Sequence, residues 1–170
     1  EIILSTQDGQ SIRFKESQVR PTGRDTYGVV GMTLEENDAV VSMEISSPRA
    51  DILTASEKGY GKRSPMDEYR LQSRGGKGII TMKTTDKTGR VVGVQMVTED
   101  DQLMLVTNIG KIIRLRVKDI RIIGRNTQGV RLIDLEEGER LVSLARLAEK
   151  EDEEESAPEP PATPGPEPEG

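Results

Sequence analysis

The chain has 170 residues, a formal net charge of −6, no cysteine, no histidine and four aromatic side chains, Phe14, Tyr27, Tyr60 and Tyr69. Without cysteine or histidine, disulfides, the usual zinc sites, Ser-His triads and Cys-His pairs are excluded, and so few aromatics imply an aliphatic core. No apolar run approaches the roughly 18 residues that cross a bilayer, so the chain reads as soluble and intracellular. Its strand-like start at Glu1-Ile2-Ile3-Leu4, without an initiator Met, reads as a fragment of something longer.

From the N-terminus, short runs rich in Ile, Val, Leu and Met alternate with turn residues, a pattern of strands joined by hairpins and not of helices. The first four runs are expected at residues 2–6, 10–15, 28–33 and 39–45, with Asp8-Gly9 at the first hairpin. Four more follow at 52–56, 59–63, 78–83 and 91–97. The last four stand at 102–107, 111–116, 129–134 and 141–145, where Asn108-Ile109-Gly110 replaces Asp8-Gly9. The first and third sets keep step without an insertion: Gly9, Gly28 and Ser42 recur as Gly110, Gly129 and Ser143, each 101 residues on, and Gly59, Gly78 and Gly93 mark the middle copy. A fixed period of roughly 50 residues is the signature of a repeat array, and four antiparallel strands per unit is the size of a propeller blade. The expected fold is therefore all-β, with three four-stranded propeller-like blades at about 1–49, 50–99 and 100–148. Three blades leave two flanks bare, so upstream blades or association between chains is expected to cover them.

Residues 149–170 are of another kind, with nine acidic residues, one basic residue (Lys150) and six of the nine prolines. This tail carries −8, which leaves +2 on residues 1–148. It reads as disordered, because it cannot bury enough apolar surface to offset its chain entropy. Two roles stand open for it: a solubilising extension, or a tethered polyanion that competes for basic surface on the body.

Between the second and third runs of each copy lies a loop with an arginine four residues ahead of the glycine that opens the third run. The instances are Arg24 before Gly28, Arg74 before Gly78 and Arg125 before Gly129. Other cations gather nearby: Arg20 in the first copy, Lys62, Arg63, Arg70 and Lys77 in the second, and Arg114, Arg116, Lys118 and Arg121 in the third. Repetition puts these groups on one side of the array at one radius, as a bent phosphate backbone would require. The alternative is that the loop arginines hydrogen-bond turn carbonyls and the other charges are merely solvated. In the middle loop, Gln72-Ser73-Arg74-Gly75-Gly76-Lys77-Gly78, the three glycines let backbone amides approach phosphates closely. It is not a Walker loop, since Lys77 is followed by Gly78 and Lys62 by Arg63. The candidate phosphate contacts are Arg24, Arg74, Lys77 and Arg125, then Arg20, Arg63, Arg70 and Arg121. The three tyrosines read as packing residues, and Glu35-Glu36, Asp100-Asp101 and Glu136-Glu137 as solvated turns that match no calcium-loop spacing. No catalytic constellation, metal site or cofactor site is expected.

The segment Gly59-Tyr60-Gly61-Lys62-Arg63-Ser64-Pro65, the glycine-rich loop 72–78, and Gly124-Arg125-Asn126-Thr127-Gln128-Gly129-Val130-Arg131-Leu132 together resemble the C-terminal domain of the DNA gyrase A protein. The resemblance covers residues 1 to about 148, and the acidic tail is similar to the end of that protein. It implies a β-pinwheel, a six-bladed propeller-like disk whose strands swap between neighbouring blades, of which this chain holds half. It also implies a basic rim that wraps double-stranded DNA to support negative supercoiling, with the catalytic and ATP sites of the topoisomerase in other domains or in the gyrase B protein. The location it implies is the bacterial cytoplasm, at the nucleoid. Residues 72–78 match the family's signature box, QRRGGKG, except at Ser73, but by position they resemble its degenerate echo in the fifth blade, so the wrapping box itself is expected to lie outside this chain. The equivalent domain of topoisomerase IV, and a propeller scaffold that binds proteins and no DNA, are the rival readings.

Overall fold

The computed structural model describes residues 1–147; the acidic segment, with the disorder expected of it, lies outside the described residues. The strands are β1 (Ile2–Thr6), β2 (Gln10–Phe14), β3 (Val40–Ile45), β4 (Asp51–Ser56), β5 (Tyr60–Pro65), β6 (Ile79–Ile80), β7 (Val91–Val97), β8 (Gln102–Thr107), β9 (Ile112–Arg116), β10 (Val130–Arg131) and β11 (Leu141–Leu147). Short 3-10 turns at Glu16–Gln18, Met66–Glu68 and Val117–Asp119 follow β2, β5 and β9. The period-two pattern is plainest in β8, where Leu103, Leu105 and Thr107 are buried and the residues between them are not. Each β1-β2-type hairpin turns at a glycine with positive φ: Gly9 at 85°, Gly59 at 77° and Gly110 at 80°. Register also shifts at the same place in each repeat, between Ser5 and Thr6, between Ala55 and Ser56, and between Leu141 and Ser143 opposite Thr107 and Val106.

The sheets are not local to the repeats. The first has the order β3-β1-β2-β6 and the second β10-β5-β4-β7, while the third is β11-β8-β9. The short third strand of each repeat thus leaves its own sheet and closes the one before it. Ile79 pairs with Ser11 and Ile80 with Gln10; Val130 pairs with Gly61 and Arg131 with Tyr60. The expected third runs shrink to these two-residue strands, because only two residues meet the neighbouring ladder. The run expected at 28–33 forms no strand and meets no sheet edge among the described residues, where the third sheet has three strands and no fourth from a following repeat.

Neighbouring sheets pack face to face through aliphatic side chains. Ile3 of the first sheet meets Ile52, Val94 and Met96 of the second, and Leu53 and Val97 of the second meet Leu103 of the third. A fully buried side chain of this size contributes about 1.5–3 kcal/mol relative to exposure, so these seams, and not the hairpins alone, stabilise the array. Strand β3 packs against β7, and β7 against β11, in one row. The opposite sheet edges, which carry β6, β10 and the basic loops, therefore form a common outer rim.

Candidate nucleic-acid interface

Three loops build the rim, each running from a 3-10 turn to the glycine that opens the third segment of its repeat. Their arginines fall into two sets with different surroundings. In the first set, Arg74 donates through Nε to the Gln18 carbonyl at 3.1 Å and through Nη1 to the Val30 carbonyl. Arg125 donates through Nη1 to the Ile80 carbonyl at 2.7 Å. Val30 and Ile80 hold the same place in successive repeats, so these two guanidiniums clamp the preceding repeat's third segment. That is the carbonyl-capping role open to them from the sequence, and it leaves each of them half-buried. Arg24, the third member, is exposed, with no hydrogen bond among the described residues.

The second set is Arg20, Arg70 and Arg121. They are 50 and 51 residues apart, equivalent across all three repeats, and every one is exposed with no ion pair among the described residues. Their common period was readable in the sequence but is easily overlooked, because they lack a flanking glycine. Lys77 is exposed and ion-paired to Glu35 at 2.6 Å. An exposed pair of this kind is worth about 1 kcal/mol or less and yields to competing anions.

Two cations expected on the rim are inside instead. Arg63 is 4 % exposed and lies against Asp51 at 3.6 Å and Glu99 at 3.3 Å, so it cannot reach a phosphate. Lys62 is fully buried, and its Nζ donates to the carbonyl of Gly124 at 2.8 Å, to that of Arg125, and to Thr127 Oγ1 at 3.2 Å. Burial pulls its pKa down to about 8, with Glu68 opposing and Arg125 reinforcing the shift. Lys62 occupies the inward-facing place that Ile12 and Ile113 take in the other repeats, and there it fixes the third rim loop. The two corrections share one cause: β5 belongs to the middle sheet, which is covered on both faces, so these consecutive side chains, pointing to opposite faces, are both buried.

The glycine-rich loop is docked on the first repeat. Gln72 donates its amide to the Arg13 carbonyl at 2.8 Å, Arg74 its amide to Gln18 Oε1 at 2.7 Å, and Gly75 its amide to the Gly31 carbonyl at 2.9 Å. Ser73, Gly76 and Lys77 are exposed, and the amides of Gly76 and Lys77 have no partner among the described residues. A Cβ on Gly75 (φ 86°) would stand in open space, whereas Gly78 (φ 83°) abuts Ser11, where a Cβ would lie 2.5 Å from a carbonyl oxygen. Of the tyrosines, Tyr69 is buried and shares a hydrogen bond of 2.7 Å with Thr81; desolvation outweighs that bond and leaves its pKa raised to about 12. Tyr60 lies under Lys87 and Arg131, 5.2 and 5.6 Å from its ring centre. Tyr27 is not a packing residue: it stands fully exposed, ahead of the segment that has no sheet to close.

No cluster of three or more acidic ligands suited to a metal ion is found among the described residues, and no helix there is long and apolar enough to cross a membrane. The arrangement offers cations and free amides along one edge, chemistry suited to an extended polyanion.

A sequence profile of the "DNA gyrase C-terminal domain, beta-propeller" matches residues 1–47, 50–98 and 101–148. The DNA gyrase A protein of Escherichia coli (strain K12) is 48% identical over 157 residues, covering 91% of this chain and 18% of that protein. The DNA gyrase A protein of Staphylococcus aureus (strain MRSA252) is 46% identical over 156 residues, with the same coverage. Two solved structures superpose with a TM-score of 0.81 over 86% of this chain. One, a DNA gyrase A C-terminal domain, is 32% identical and is half covered (50%); the other, the C-terminal domain of DNA topoisomerase IV, is 29% identical and 46% covered. The chain spans about a fifth of the length of the curated relatives it matches (18%).

Proposed function

The chain belongs to the family of the DNA gyrase C-terminal domain, and on that premise we propose that its outer rim binds the phosphate backbone of double-stranded DNA, as a non-catalytic wrapping region of a type IIA topoisomerase. The rest of the gyrase A protein and the gyrase B protein are its partners in this reading, and the bacterial cytoplasm, at the nucleoid, its location. The observation that carries the proposal is the triplet Arg20, Arg70 and Arg121, one exposed, unpaired guanidinium per repeat at one place on the rim. Arg24 and Lys77 join them, with the free amides of Gly76 and Lys77. Arg74 and Arg125 act chiefly by holding the loops in place.

Binding of this kind is driven by counterion release, so it weakens steeply with salt and ignores base sequence. The test is affinity for a duplex of about four helical turns, measured across a salt series for the 170-residue chain and for Arg20→Ala/Arg70→Ala/Arg121→Ala. Losing three phosphate contacts flattens the logarithmic salt slope by about 3. A variant with the parent's slope and affinity would move the interface off this triplet. A chain with no salt-dependent binding at all would favour the protein-scaffold reading. Between the gyrase and topoisomerase IV readings, the curated relatives, which are gyrase A proteins, favour gyrase.

A further inference from the structure

The outer edges of β2 and β5 are built alike, yet they do not carry the same charge at both ends. Along each edge a rim loop runs from the 3-10 turn toward the hairpin. On β2, Leu71 lies beside Arg13 and Ile80 pairs with Gln10; on β5, Ile122 lies beside Arg63 and Arg131 pairs with Tyr60. Arg70 and Arg121 therefore mark one end of the two edges. At the hairpin end β2 presents Asp8 and Ile80, whereas β5 presents Lys58 and Arg131 in the same places. Lys87, four residues ahead of Val91, stands where Glu36 and Glu137 stand ahead of Val40 and Leu141. Three changes toward positive charge, on three separate segments, thus gather at the seam of the second and third repeats.

These cations line one pocket of about 330 Å³, with Tyr60 in its wall. Lys87 Nζ lies 5.2 Å and the Arg131 guanidinium carbon 5.6 Å from the centre of the Tyr60 ring, and Arg131 Nη2 donates to Tyr60 Oη at 3.2 Å. The turn that carries Lys87 is fixed: the amides of Thr88 and Gly89 donate to the Thr85 carbonyl at 3.1 and 2.8 Å, and the buried Thr88 Oγ1 accepts the Thr85 amide at 2.9 Å. Neither Lys58 nor Lys87 has a carboxylate partner among the described residues. Arg131 has the exposed Asp134 at 2.8 Å, a pair that gives way to a competing anion. The carboxylates that line the pocket, Glu136 and Glu139, are both taken by Lys111, at 3.9 and 3.4 Å. The equivalent pocket at the first seam sets Asp8, Glu57 and Asp86 against Lys58 and Arg90, and Asp8 holds Arg90 at 3.4 Å.

With the rim read as the DNA face, we infer that the pocket between the second and third repeats holds a phosphate of the duplex among Lys58, Lys87 and Arg131, apart from the arginine row. From Arg63 to Tyr60 is about 10 Å along β5, so Arg121 and the pocket meet different phosphates. The duplex is then gripped at two points on the second seam and at one on the first. Lys87 belongs to the second repeat and Arg131 to the strand that the third repeat lends it, so the bound phosphate also ties that exchange closed.

The test uses the 170-residue chain and the same duplex across a salt series. Lys87→Ala/Arg131→Ile, in which isoleucine is the residue the fold already accepts at Ile80, should weaken binding at low salt and flatten the logarithmic slope by about 1, with an unchanged far-ultraviolet circular dichroism spectrum. Arg49→Ala/Arg146→Ala loses the same charge from the β3-β4 connection and from β11, away from these edges, and should keep the parent's slope. The chain has no cysteine, so Lys87→Cys and Arg49→Cys each carry a thiol-attached photoreactive group at a single place. The first should link to the duplex and the second should not. In a parent that binds with steep salt dependence, an unchanged slope in the pocket variant, or no link from position 87, would overturn the inference and leave the DNA reading of the rim standing. A parent without salt-dependent binding would overturn both.

Discussion

Lys62 shows how much one side chain can decide in a repeat protein. Its buried ammonium ties the second repeat to the rim loop of the third, yet burial also depresses its pKa from 10.5 to about 8. The unfolded chain binds the proton more tightly, so stability is lowest with respect to this group below pH 8 and rises as pH climbs from about 8 toward 10.5. Tyr69 works in the opposite sense: burial raises its pKa from 10 to about 12, so it stabilises the fold fully below pH 10 and that contribution is lost as pH rises toward 12. Urea midpoints measured from pH 7 to 11.5 should therefore pass through a maximum between about 10 and 10.5, where the rising and falling slopes cancel. Lys62→Met should remove the rising limb and Tyr69→Phe the falling one. A profile that is flat in the parent, or unchanged in Lys62→Met, would mean that the ammonium is well solvated.

At the scale of the element, the exchanged strands are only two residues long, and so small a ladder holds because the backbones beside it fit closely. Gly129 (φ 77°) faces the Gly61 carbonyl at 2.6 Å from its ideal Cβ, whereas Gly28 (φ 70°) faces open space. Alanine at either position meets the left-handed backbone penalty of roughly 1–2 kcal/mol. Only at Gly129 does it also force the strand off its neighbour. Gly129→Ala should lower the thermal midpoint clearly more than Gly28→Ala does. Equal shifts would show that the exchanged strand contributes little. The two arginine sets divide in the same way: Arg74 and Arg125 hold elements together, and Arg20, Arg70 and Arg121 are free to meet a ligand.

For the whole molecule the governing quantity is how charge is distributed. Residues 1–148 carry +2 and the remaining segment −8, so the full chain is a polyanion with a basic rim. At low salt, deletion of residues 149–170 should raise affinity for duplex DNA, and the gain should fade as salt shortens the Debye length from about 30 Å at 0.01 M to about 8 Å at 0.15 M. Equal affinities at low salt would leave that segment as a solubilising extension only.

Much of the fold was legible in the residues alone. The recurrence of Gly9, Gly28 and Ser42 as Gly110, Gly129 and Ser143 specified an all-β repeat, because turn glycines and alternating aliphatics are local requirements of the backbone. The rim was legible as a repeating arginine for the same reason. Which sheet a strand joins was not, since Ile79-Ile80 carries the same β-favouring chemistry whether it pairs at home or with β2. Nor could the sequence separate Arg63 and Lys62, buried in the seams, from Arg70, exposed on the rim, because burial of a charge depends on which sheet lies opposite. Periodicity and turn chemistry are properties of the chain. Strand exchange, and with it the choice of which cations face solvent, is set by packing between repeats, and only the tertiary structure decided it.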